Sequence, residues 1–259
     1  MIRFCSLGSG STGNATVVEA RSGTGVTRLL IDCGFNQREL ALRLGRAGLA
    51  NTDIDAVFVT HEHGDHVGCA APFARRHGIP LWTGHGTWRA IGEPELGSLL
   101  HFARDGEPIA IGALELMPYT VPHDAAEPLQ LCCSDGASKL GVLTDSGSIT
   151  PYLVAQLQGC DGLLLECNHD AELLARSHYP ASLKRRIGGR FGHLCNDTAA
   201  QILAACAHDR LVHLVAAHLS EHNNRPALAQ AALAGASGRE VGDIVVADPA
   251  NGFHWLQLG

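Results

Sequence analysis

The sequence has no apolar run approaching about 18 uninterrupted residues, so it offers no candidate transmembrane helix. Its start, Met1-Ile2-Arg3-Phe4-Cys5, enters a strand-like pattern without the basic flank and apolar segment of an export signal. The expectation is a soluble, cytoplasmic protein with no membrane partner. No Cys-x-x-Cys pair occurs among the nine cysteines, and Cys5, Cys33, Cys69, Cys160, Cys167 and Cys206 lie in or beside apolar runs. That argues against a zinc ribbon or a disulfide framework and for small buried hydrophobes in a reducing compartment. A basic excess is missing too. With a formal net charge of -7, the chain lacks the broad cationic surface of a protein that holds nucleic acid mainly by neutralising phosphates, so any such contact has to be local. No low-complexity linker or charge run divides the 259 residues, of which 46% are hydrophobic. Residues 1–259 are therefore read as one domain with a sizeable core.

What is present is a sequence of strands and helices with chemistry at their junctions. Arg3 to Leu7, Ala15 to Ala20 and Arg28 to Asp32 read as successive strands, the first two joined by Gly8-Ser9-Gly10-Ser11-Thr12-Gly13-Asn14. That loop is either a flexible connection or a glycine-lined wall for an anionic substrate, with Ser11 and Asn14 as its contacts; it has no phosphate-loop Lys. Gln37 to Ala47 has helical spacing, the run to Val59 reads as a buried strand, and Val67 to Arg76 reads as a helix. Strands dominate from Pro108 to Leu143. Helices are then expected at Thr150 to Gln158, Ala181 to Ile187, Thr198 to Ala207 with Asn196 as its cap, and from Pro226. The alternation points to a layered α/β fold.

The densest chemistry is Thr60-His61-Glu62-His63-Gly64-Asp65-His66, between a strand and a helix. In extended chain His61 and His63 share a side, and Gly64 lets Asp65 and His66 turn to a second position, so one motif can serve two adjacent divalent ions. Imidazole and carboxylate suit zinc; manganese and iron are alternatives. Asp32, at a strand end, either orients a metal-binding His or caps a turn. His123, Asp145 and His218 each follow an apolar strand, which puts them at one sheet edge with the motif.

His-x-His-x-Asp-His followed by isolated His, Asp and His resembles the metallo-β-lactamase superfamily over almost the whole chain. The resemblance implies a four-layer αββα sandwich of two mixed sheets flanked by helices. It implies His61, His63 and His123 on one metal, Asp65, His66 and His218 on the other, and Asp145 bridging. Redox di-iron members carry Glu in place of His63, and the main β-lactamases carry Cys in place of Asp145, so oxygen chemistry and antibiotic hydrolysis are not expected. The Gly8 to Asn14 loop, Glu166-Cys167-Asn168-His169-Asp170, Tyr179-Pro180, Lys184-Arg185-Arg186, Gly192-His193 and His218-Leu219-Ser220 with Asn223-Asn224 are similar to the YycJ-like branch, described as DNA exonucleases. Cys195 stands where that branch has Ser.

Two-metal hydrolysis uses a hydroxide nucleophile, which Asp65 or Asp145 would orient. His169 and His193 are candidates to grip phosphate or protonate the leaving oxygen; each could instead be a hydrogen-bonded structural histidine. Lys184, Arg185 and Arg186 either receive a nucleic-acid backbone or form a solvated face, and Asn223 could line the site. The expected function is a dinuclear phosphodiesterase acting exonucleolytically on DNA. The alternatives are a hydrolase of a small cyclic phosphodiester, lactone or thioester, and a metal-holding regulatory protein.

Overall fold

Most strands are apolar on both faces, as Val17-Val18, Leu29-Leu30 and Val57-Phe58 show, so each needs cover on both sides. The computed structural model describes Met1–Gly259 and meets that need with two sheets packed face to face and helices outside each. The first sheet contains β1 (Ile2–Gly8), β2 (Ala15–Ser22), β3 (Gly25–Ile31), β4 (Ala56–Val59), β5 (Leu81–Thr83), β6 (Leu100–Phe102) and β14 (Phe253–Leu258). Their order is β14-β1-β2-β3-β4-β5-β6, antiparallel as far as β3 and parallel beyond it. The second contains β7 (Ile109–Ile111), β8 (Leu114–Thr120), β9 (Leu129–Ser134), β10 (Lys139–Leu143), β11 (Gly162–Glu166), β12 (His213–Ala217) and β13 (Val245–Val246). Its order is β13-β12-β11-β10-β9-β8-β7, parallel from β13 to β10 and antiparallel thereafter. Both sheets are mixed, and the architecture is the four-layer αββα sandwich.

Alternation along each strand sorts the side chains into three layers. Phe4, Val18, Leu29 and Phe58 meet Leu116, Leu131, Val142 and Leu164 between the sheets. Val17, Leu30 and Val57 point outward onto α1 (Gln37–Arg46), α3 (Ala70–His77) and α4 (His85–Ala90) through Leu40, Leu44, Phe73 and Trp88. Leu143, Leu163 and Leu165 do the same on the other side, onto Leu153, Ile202, Leu203 and Leu233 of α5 (Pro151–Leu157), α8 (Asn196–Cys206) and α9 (Pro226–Ser237). Asn36 caps α1 by accepting the Glu39 N–H at 2.9 Å, and Thr150 caps α5. All nine thiols are unpaired, and only Cys195 is not buried.

The helix expected over Val67 to Arg76 is broken. A single turn, α2 (Gly64–Val67), ends at Gly68 with φ 31, and α3 starts two residues later. Gly68 packs on the Cys33 backbone, where a Cβ would overlap the carbonyl, so the break is a position that only glycine fits. Asn196 is not the cap of α8 but its first residue; Cys195 holds the cap position, and the Asn196 amide pairs with Asn224 instead. β6 and α6 (Ala171–Arg176) had no expectation in the sequence; both are too short to show a period.

Candidate metal centre

The parallel strands end on one edge, where polar residues replace apolar ones: Asp32 after β3, Thr60 after β4, Thr144 and Asp145 after β10, Glu166 closing β11, and His218 after β12. In the parallel register Leu143 stands opposite Leu165, and Glu166 opposite Ala217. Asp145, Glu166 and His218 are thereby brought side by side.

Two donor groups form there. In the first, His61 Nε2 and His123 Nε2 stand 3.0 and 3.3 Å from His63 Nδ1. In the second, His66 Nε2 and His218 Nε2 stand 3.5 and 3.3 Å from Asp65 Oδ2. Asp145 reaches both, since it forms a further donor group with His61 and His66. Its oxygens lie 2.7 Å from His66 Nε2 and 2.9 Å from His193 Nδ1, yet neither oxygen has an aligned hydrogen-bond donor although Asp145 is 1% exposed. A buried carboxylate among inward-facing imidazole nitrogens, without directed donors, is what a cation site requires. The residues present therefore fit two divalent ions.

A surrounding shell fixes which nitrogen faces inward. Asp32 Oδ2 lies 2.7 Å from His66 Nδ1, Thr60 Oγ1 3.0 Å from His61 Nδ1, and the Gly192 carbonyl 2.9 Å from His123 Nδ1. Each contact engages Nδ1 and leaves Nε2 to the centre. Asp32 itself accepts the Thr60 N–H at 2.8 Å. Ser9 Oγ accepts the His218 N–H at 2.9 Å, and the Asn168 amide donates to the His218 carbonyl at 3.1 Å. Glu166 holds His193 Nδ1 at 2.8 Å and the Ser146 N–H at 2.7 Å.

The electrostatics follow from burial and pairing. Burial opposes charge on His66, but Asp145 and Asp32 outweigh it and raise its pKa well above the ordinary value. Burial would also raise the Asp145 carboxyl; His218 and His66 instead hold it well below its usual range. His61 and His123 are lowered, chiefly by burial. His193 overcomes its burial through Asp145 and Glu166 and rises to about 10. A bound cation and these protons would compete for the same atoms.

The remaining candidates are spread around the centre. His193, 22% exposed, packs between the His123 and His218 rings. His169 is 3% exposed with Nδ1 unpartnered, and it joins neither donor group. Ser11 is exposed on its loop. Asn14, 3% exposed, sends its amide to the Asp65 carbonyl at 3.2 Å and toward His66 Nε2 at 3.1 Å, so it faces the framework of the centre. Asn223 is 1% exposed and bonded to Ser220. Lys184 Nζ donates to the Ala175 carbonyl at 2.7 Å, while Arg185 is exposed on α7 (Ala181–Ile187) without an ion-pair partner. Thr60, Ser9, Asn168 and Glu166 drew no assignment from sequence. The available signal was Glu166, a lone carboxylate closing an apolar strand as Asp145 and His218 follow theirs.

A four-layer sandwich with His and Asp donors gathered at its strand ends defines a metal-dependent hydrolase class. The chain belongs to the metallo-β-lactamase superfamily, whose family model matches residues 8–136. It is 34% identical over 233 residues to the exodeoxyribonuclease YycJ of Bacillus anthracis, covering 88% of this chain and 86% of that one. It is 31% identical to the exodeoxyribonuclease WalJ of Streptococcus pneumoniae, covering 88% and 85%. The solved metallo-β-lactamase fold protein YhfI from Bacillus subtilis superposes with a TM-score of 0.73 over 98% of each chain at 17% identity, which speaks to the fold. No helix is long and apolar enough to cross a membrane.

Proposed function

We propose that this hydrolase is a dinuclear phosphodiesterase that removes nucleotides from DNA ends, working as a single domain in the cytoplasm. The observation that carries the two-metal reading is Asp145, buried, without directed donors and adjoining both donor groups. The relatives named as exodeoxyribonucleases support DNA as the substrate, and unpaired thiols support a reducing compartment.

His61, His63 and His123 would hold one divalent ion and Asp65, His66 and His218 the other, with Asp145 shared; zinc is the first choice, with manganese or iron as alternatives. Bound there, the pair would supply a hydroxide at neutral pH and offset charge on the phosphodiester. The chain's own groups do the rest. Asp65, at 22% the most exposed carboxylate of the donor groups, orients the attacking water. His193 keeps its Nδ1 proton on Glu166 and stands at the opening, placed to serve the leaving oxygen as acid. His169 is the second candidate for phosphate. Ser11 and Arg185 are free to meet substrate at the rim, whereas Asn14 and Asn223 act by holding the frame.

The test is purified protein with zinc or manganese and end-labelled single- and double-stranded DNA. Stepwise shortening is expected, abolished in His61→Ala and Asp145→Asn. Undiminished shortening by both variants sinks the reading. So does inert DNA alongside turnover of a cyclic phosphodiester, lactone or thioester, the outcome that the net charge of -7 would favour.

A further inference from the structure

We propose that the cleft between α7 and the loop at residues 188–192 receives an unpaired strand of DNA, with Phe191 stacking a base and Arg185 and Arg190 meeting the flanking phosphates. The inference rests on the nuclease reading above and names how its substrate is held.

In a chain of net charge -7, the stretch 184–191 carries Lys184, Arg185, Arg186 and Arg190 and no carboxylate. The one acid facing the cleft is Asp124, and Arg186 Nε engages it at 2.6 Å. Arg185 and Arg190 make no ion pair and remain available for anions. Phe191 is 51% exposed, and the Arg190 guanidinium lies over its ring, 5.0 Å from the centroid. Those residues line a cavity of about 280 Å³. An aromatic face flanked by unpaired cations is the combination that binds single-stranded nucleic acid: every base has a face to stack, and every nucleotide brings a phosphate.

The cleft is joined to the metal centre. Asp124 Oδ1 lies 3.9 Å from His63 Nε2, and the carbonyl of Gly192, next to Phe191, is the 2.9 Å partner of His123 Nδ1. The platform is also fixed. The Gly192 N–H reaches the Gly189 carbonyl and the His193 N–H the Ile187 carbonyl, both at 2.8 Å. A side chain at Gly192 would overlap the carbonyls of Arg186 and Ile187. Pre-set geometry lowers the ordering cost of binding a flexible strand.

The experiment compares the metal-loaded parent with Phe191→Ala, Phe191→Trp and Arg185→Ala/Arg190→Ala. Fluorescence is followed on a phosphorothioate-linked oligothymidylate carrying one 2-aminopurine, and steady-state kinetics are measured on the ordinary oligonucleotide. Stacking in the parent and in Phe191→Trp quenches the 2-aminopurine; Phe191→Ala loses the quenching and raises KM about tenfold, with kcat changed far less. The double arginine variant lowers the slope of log(kcat/KM) against log salt by about 1.4, at about 0.7 per phosphate contact. A parent that leaves DNA intact overturns the nuclease reading. A parent that degrades DNA, with variants matching it in quenching, KM and salt slope, overturns this inference alone.

Discussion

Asp32→Asn separates an orienting role from a structural one. Asp32 is 2% exposed and follows β3; its Oδ1 accepts the Thr60 N–H at 2.8 Å, and its Oδ2 lies 2.7 Å from His66 Nδ1. An ionised carboxylate only accepts, so when His66 is neutral its proton resides on Nδ1 and the Nε2 lone pair faces the centre. Asn preserves the size. The Thr60 N–H and hydroxyl keep its oxygen, so its NH₂ turns to Nδ1, which must then accept. The imidazole proton moves to Nε2, the atom 2.7 Å from Asp145 Oδ2, and a protonated nitrogen cannot ligate a metal. Loss of such an outer partner costs about 10- to 100-fold in metal affinity, or about 1.4 to 2.7 kcal/mol. Competition against a chromophoric zinc chelator reads the two equivalents separately. The ion at His61, His63 and His123 should bind nearly as in the parent, because the 3.0 Å contact of Thr60 with His61 Nδ1 is retained; the second equivalent should weaken. Cleavage should fall at limiting metal and recover at saturation. A second equivalent bound as tightly as in the parent, with an unchanged unfolding midpoint, refutes the tautomer argument.

Gly34→Ala would drive a Cβ into the Asp65 carbonyl and to 2.7 Å from the Asn14 nitrogen; urea unfolding should show about 1–3 kcal/mol of destabilisation, and zinc competition a weaker second ion, with parent-like values for both counting against it. Glu19, 0% exposed, is held at 2.7, 2.9 and 2.7 Å by Arg3, Arg21 and Arg28, which outweigh its burial and hold its pKa at about 2. A depressed carboxyl contributes fully above its unfolded value near 4.3 and loses that contribution as pH falls toward 2; the unfolding free energy from urea titrations should drop by about 2–3 kcal/mol more across this window than in Glu19→Gln, and equal drops would refute the pairing. Of the nine thiols only Cys195 is not buried, and burial pushes Cys5 and Cys133 up to about 12. A disulfide reagent should therefore titrate no more than one thiol rapidly before unfolding, and rapid reaction of three or more contradicts the packing.

The legible parts of the sequence were those where one residue type has one physical use. Doubly apolar runs such as Leu29-Leu30 and Val57-Phe58 demand two covered faces, and with the alternation of strand and helix they point to a layered α/β fold, whereas the pairing of two sheets comes with the resemblance. His61 to His66 announced itself by density. His123, Asp145 and His218 could be gathered because each is the polar residue that follows an apolar strand. Thr60 and Ser9 could not: the contacts that matter, to Asp32 and to His218, reach residues 28 and 209 positions away, and nothing local distinguishes either from a loop hydroxyl. Asn14 reads in its loop as a substrate contact, and its amide turns inward to the Asp65 carbonyl and toward His66 Nε2, a direction that a glycine-rich loop does not reveal. The break at Gly68 was hidden for a related reason, since the close approach of the Cys33 backbone, which admits only glycine there, is a contact across the fold.

Asp32 and His218 are each the first residue after a strand with a parallel neighbour, β3 in the first sheet and β12 in the second, and each has a left-handed backbone, with φ 61 and 54. For residues other than glycine that conformation costs on the order of 1 kcal/mol or more and persists only where neighbours enforce it. Thr60, from the neighbouring strand end, enforces it at Asp32; Ser9, from the loop of the opposite sheet, enforces it at His218. Asn14, in the same loop as Ser9, braces Asp65. The Gly8 to Asn14 segment thus ties a first-sheet donor and a second-sheet donor of the same group to one short stretch of backbone. The donors His61 and His63, by contrast, come from one strand end and need the second sheet only for His123. Disturbing the packing between the sheets should therefore weaken the group of Asp65, His66 and His218 first, because its geometry exists only while both strained turns are held.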